Sequence, residues 1–184
     1  MAQITTRIPA APYEDEVVKA LTVCSIGWAL LGMAAGVYAA AELVWPALNL
    51  DFAPLTFGRL RTAHTNLVLF GFGVSALMAT SFYSVQRTSH VRLFCPALAW
   101  WVFFGWQLIL AFGAASILAG ANGGKEYAEL EWPIDIPITI VWVLYAILYF
   151  GTIMKRKVQH IYVANWFFGA FIVTVAVLHI INRA

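Results

Sequence analysis

Residues 63–86 read AHTNLVLFGFGVSALMATSFYSVQ, with Arg59 and Arg61 just before the run and Arg87 and Arg92 just after it. Nothing inside the run carries a full charge. A helix rises about 1.5 Å per residue, and roughly 20 apolar residues cross the ~30 Å hydrocarbon layer of a bilayer. The run is therefore read as a transmembrane helix. Its costly residue is His64, because a polar ring placed in an apolar span needs a partner.

Working outward, four more runs of this kind appear, at about 20–41, 93–119, 134–154 and 158–181. Composition agrees with them. The chain of 184 residues is 62% hydrophobic and 11% charged, where a soluble domain carries about 25% charged residues. The expected fold class is all-α: a polytopic membrane protein with five transmembrane helices, one membrane domain over 1–184, and a short tail at 1–16. Pro96 and Pro137 are each expected in the first turn of a helix, where a missing N–H costs little. Gly27, Gly32 and Gly36 in the first run, and Gly105 and Gly113 in the third, predict close helix approach. The lipid bilayer is the implied solvent. A net charge of +2 gives no footprint for nucleic acid.

Cys24 and Cys95 lie in apolar runs and read as small core residues. No C-x-x-C-H is present, so no haem is attached through that motif. The start, MAQITTRIPAAPYEDEVVK, is polar and acidic ahead of the first run, unlike a signal peptide. It is read as a cytoplasmic tail.

Lysine and arginine in short loops set direction. Arg87 and Arg92 occupy one loop, and Lys155, Arg156 and Lys157 another, so both loops are expected in the cytoplasm. The loop GANGGKEYAELEWP holds Glu126, Glu129 and Glu131 against one lysine and is expected outside. The N-terminus is then cytoplasmic and the C-terminus periplasmic. Arg59 and Arg61 fall on the outer side, against the rule, which asks for an anionic partner.

On a helix, residues 64, 68, 71, 75 and 78 share one stripe. Gly71 lies two turns from His64 and would leave space for a flat ligand. A neutral imidazole can ligate haem iron through one nitrogen while the other is held by a hydrogen bond. Arg59 and Arg61 would then stand where haem propionates emerge. The other reading is an interfacial histidine bonded to a neighbouring helix, with glycine serving close packing. His179 is expected at a similar depth on an oppositely directed helix. The pair could clamp a haem, or His179 could be an interfacial residue beside Asn182 and Arg183. His90 reads as a solvated loop residue, and His160 as an interface anchor with Tyr162 and Trp166. The three glutamates of the outer loop are a solvated loop by count. They are also oxygen ligands of the kind that calcium takes.

The segments GRLRTAHTNLVLFGFG, AAELVWPALN, KEYAELEWPIDI and QHIYVANWFFGAF together resemble subunit I of cbb3-type cytochrome c oxidases, the C-family of haem–copper oxidases. The resemblance runs from about Val17 to Asn182. It implies that His64 is an axial ligand of a low-spin haem b, that Arg61 lies near the haem propionates, and that Glu126 takes part in a calcium site bridging to them. It also implies an enzyme complex that reduces O₂ with electrons from c-type cytochrome subunits and pumps protons. The family's subunit has about twelve helices, so the remaining helices of subunit I are expected partners. The second low-spin ligand, the high-spin haem ligand and the copper ligands lie further along in the family. No catalytic residue is therefore assigned within 1–184. Two alternatives stand beside this one: the equivalent segment of a nitric oxide reductase large subunit, and a stand-alone five-helix b-type cytochrome using His64 and His179.

Overall fold

The computed structural model describes residues 13–121, 123, 125 and 129–183. Five helical spans among them are long and apolar enough to cross a membrane. The first is α1 (Asp15–Val44). The second is continuous from Phe57 to Ser89 and has three parts: α2 (Phe57–Asn66), a π-helical stretch (Leu67–Val74) and α3 (Ser75–Ser89). The third, fourth and fifth are α4 (Pro96–Ala119), α5 (Trp132–Met154) and α6 (Val163–Arg183). Two short 3₁₀ turns, Pro46–Asn49 and Ala53–Leu55, fill the connection from α1 to α2.

The helix ends follow local chemistry. Asp15 and Glu16 stand in the first turn of α1, where negative charge suits the helix dipole. Pro96 opens α4, as expected. Gly120 closes it at φ 96°, a left-handed conformation that glycine adopts without a Cβ clash. The expectation for Pro137 is corrected. The helix starts further back, Pro133 takes the first-turn place, and Pro137 is inside α5.

Contacts between helix ends give an up-and-down bundle. At one end the Glu14 N–H donates to Gln86 Oε1 and the Lys157 N–H to Ser89 O. At the other, Arg59 Nη1 donates to Leu118 O and Lys125 Nζ to Asn182 O. Between them lies a core of Met78, Phe82, Trp142, Tyr145 and Tyr149. Its polar tips are paired: Ser81 Oγ with Tyr145 Oη at 2.8 Å, Trp142 Nε1–H to Ile172 O, and Tyr149 Oη–H to Asn165 O. Such bonds are worth making where the alternative is an unsatisfied group in hydrocarbon.

Glycines set how closely the helices approach. A Cβ at Gly32 would fall 2.9 Å from Val68, one at Gly105 2.7 Å from Val141, and one at Gly113 3.1 Å from Leu130. Gly27 is a correction, since nothing lies within 4 Å of its missing Cβ. The π-helical stretch widens one turn of the second span. Its buried positions Leu67 and Gly71 are four apart, Ser75 at the start of α3 is four further on, and α3 then has three-and-four spacing at Met78, Phe82 and Val85.

Candidate functional site

α1 supplies the floor of the site. Gly32 and Gly36 are one turn apart on the face that meets α2, and neither places a side chain there. His64 comes from the last turn of α2 and lays its ring on that floor. A Cβ at Gly36 would fall 2.6 Å from Nδ1 and 2.7 Å from Cε1. His64 Nδ1 lies 2.8 Å from the Gly32 carbonyl oxygen. A carbonyl only accepts, so Nδ1 carries the hydrogen and donates it. In the neutral ring this leaves the Nε2 lone pair as the free ligating position. A ligating histidine whose second nitrogen is tied to a backbone carbonyl is the arrangement that fixes ring orientation at a metal. The donor set therefore fits one axial bond to a haem iron.

The two residues after His64 work differently. Thr65 Oγ1 returns to Arg61 O. Asn66 is buried and donates through Nδ2 to Thr62 O and, at 3.3 Å, to Glu129 Oε2. Arg59 reaches across to the end of α4, where Gly120 abuts its guanidinium. Arg61 is exposed at the same end of the bundle. Glu126 lies outside the described residues. Glu129 is not the solvated loop residue expected of it. It is 8% exposed, and its backbone carbonyl accepts from the Gly123 N–H at 2.6 Å.

Two expectations about space around His64 are corrected. Gly71 does not open onto a vacant slot, because Trp28 of α1 fills it, and a Cβ there would meet Trp28 Cβ at 2.9 Å. The Trp28 indole is held in turn by Gln107 Oε1 at 2.7 Å. The two-histidine clamp is not assembled either. His179 borders a cavity of about 670 Å³ shared by the second to fifth spans, whose lining includes Phe70, Trp106, Trp142 and Glu129. His64 faces α1 instead.

The remaining sequence candidates are peripheral. His90 is exposed in a left-handed conformation (φ 53°) just past α3. His160 is exposed and stacks edge-on with Tyr162. Cys24 and Cys95 are free thiols. Among the described residues no group of three or more His, Cys, Asp or Glu side chains gathers as a metal site. Sequence reasoning missed Glu42, whose two carboxyl oxygens are buried without a hydrogen-bond partner among the described residues, near the C-terminal end of α1. A single glutamate in the last turn of a span, AAELV, was the available signal.

The family model described as cytochrome c and quinol oxidase polypeptide I matches residues 16–184. The chain belongs to that family. It is 57% identical over 171 residues to the cbb3-type cytochrome c oxidase subunit CcoN1 of Stutzerimonas stutzeri, covering 93% of this chain and 36% of that protein. It is 53% identical over 174 residues to cytochrome c oxidase subunit 1 of Rhodobacter capsulatus, covering 93% of this chain and 33% of that one. A subunit 1 homolog of Agrobacterium tumefaciens is 50% identical over 172 residues. The chain thus spans about a third of the length of the relatives that it matches. The cbb3-type resemblance read from HTN, KEYAELEW and HIYVANW is borne out. This is a membrane-helical segment homologous to the catalytic subunit I of a haem–copper oxidase.

Proposed function

We propose that this chain is the low-spin haem b segment of a cbb3-type terminal oxidase in the bacterial cytoplasmic membrane. The observation that carries the reading is the His64 ring, seated on Gly36 with Nδ1–H committed to Gly32 O and Nε2 left free. When bound, the haem supplies a one-electron relay between c-type cytochrome subunits and the haem–copper centre that reduces O₂. The chain's own residues do the rest. His64 would hold the iron through Nε2 while Gly32 O keeps the ring in place. Arg61 and Arg59, at the same end of the bundle, offset propionate charge, and burial of the site tunes the potential. Glu126 would supply a carboxylate ligand to calcium. The second axial ligand, the high-spin haem, the copper site and the coupling to proton pumping belong to the other helices of subunit I and its partner subunits. The basic loops support a cytoplasmic N-terminus, a cytoplasmic 155–157 loop and a His64 end toward the periplasm.

The test is His64→Ala in the assembled oxidase. The low-spin haem spectrum is expected to disappear while the subunit still assembles. A low-spin spectrum of wild-type intensity in that variant overturns the assignment.

A further inference from the structure

The end of the bundle opposite His64 carries six basic residues among those described: Lys19, Arg87, Arg92, Lys155, Arg156 and Lys157. It carries three acids, and each is already matched. Glu14 takes Arg92, Asp15 takes both terminal nitrogens of Arg87, and Glu16 takes Lys19. The run Lys155–Arg156–Lys157 is left with no acid partner among the described residues, and all three side chains are exposed.

This run is built into the fold. The Lys157 N–H donates to Ser89 O at 3.0 Å. Lys155 Nζ stands 4.5 Å from the centre of the Phe94 ring. Phe94 is fixed by its own N–H to Thr152 Oγ1 at 2.9 Å and by Gly151, where a Cβ would fall 2.9 Å from the ring. Immediately after the run come exposed interfacial aromatics: Tyr162, 44% exposed against the His160 ring, and Trp166, 65% exposed. Met154, Val163 and Phe167 add exposed apolar surface on the spans beside them. Fixed cations above an aromatic and apolar strip match a phosphate headgroup above acyl chains.

We infer that Lys155, Arg156 and Lys157, with Tyr162 and Trp166, bind the phosphate headgroup of an anionic phospholipid in the adjoining leaflet. Setting orientation needs only a count of basic residues. It does not need a run pinned to Ser89 and Phe94, nor neighbouring acids that are all consumed. The apolar strip below favours a lipid over free phosphate.

The test counts lipids that stay with the assembled oxidase through detergent washing and re-addition of phosphatidylglycerol or phosphatidylcholine, read by native mass spectrometry. Wild type is expected to retain phosphatidylglycerol over phosphatidylcholine, and Lys155→Gln/Arg156→Gln/Lys157→Gln to lose at least tenfold of that preference. Lys155→Arg/Lys157→Arg is expected to keep it. Excess inorganic phosphate is expected to leave the bound lipid in place. Equal retention in the triple variant, no preference in wild type, displacement by phosphate, or loss of a protein subunit with the lipid count unchanged each overturn the proposal. Should the triple variant not assemble, Arg156→Gln and Lys157→Gln are read singly. A graded loss supports the site, and unchanged retention overturns it.

Discussion

His64 and His179 sit near the same end of the bundle, one at the start of the second span and the other toward the end of the fifth. Their surroundings differ. The His64 ring lies on a floor of two glycines, with one nitrogen spent on the Gly32 carbonyl. His179 makes no hydrogen bond among the described residues and borders a wide, largely apolar cavity. Similar depth in the bundle thus does not give two histidines similar surroundings. What prepares an imidazole for a metal is a neighbour that takes one nitrogen and a surface that stops the ring from turning.

The contrast breaks most severely through the floor. Gly36→Val places a branched side chain where a single Cβ would already lie 2.6 Å from the ring. Overpacking of this kind costs about 1–3 kcal/mol, and 1.4 kcal/mol is about a factor of ten in occupancy. Low-spin haem per assembled subunit is expected to fall roughly tenfold by absorbance, while the remaining haems stay. Full occupancy in this variant would mean that the ring does not rest on α1.

The support one turn further in has a smaller effect. Trp28→Phe keeps an aromatic ring against Gly71 but removes the donor to Gln107 Oε1, and Gln107 Nε2 is already without a partner among the described residues. Losing one such bond costs about 1 kcal/mol. The variant is expected to melt about 2–4 °C lower, with its low-spin spectrum unchanged. A shifted low-spin spectrum in this variant would show that Trp28 touches the porphyrin itself.

The sequence made the five spans legible because length and apolarity are read residue by residue, and the bilayer demands both. It also singled out His64 by its cost. It could not show what stands opposite a helix face. The stripe through His64 and Gly71 was visible, yet whether Gly71 met a ligand or Trp28 depended on how α1 and α2 cross. The π-helical turn left no mark either, since Leu67–Val74 is apolar throughout. Its extra width shifts the stripe that a constant 3.6-residue period predicts. Glu129 was misread for a related reason. Acids in a loop are ordinarily solvated, and its burial depends on the Asn66 amide.

The smallest expected effect is the most discriminating. His179→Ala removes a ring from the edge of a cavity to which His64 contributes nothing. If His64 Nε2 holds the iron without His179, the low-spin spectrum and its midpoint should match wild type within error, in the same preparations where Gly36→Val has lost most of its haem. If instead the low-spin band falls with His179→Ala, the two rings must approach each other in the assembled protein. His64 would keep its Nδ1 bond to Gly32 O, and its Nε2 would share the iron with His179. Infrared or resonance Raman detection of that hydrogen bond in wild type tests the His64 seat itself, whichever residue is the second ligand. Loss of the Nδ1–H···O=C bond in the haem-loaded protein would show that the ring leaves its seat on α1, because that bond points Nδ1 into α1 and leaves only Nε2 to reach iron.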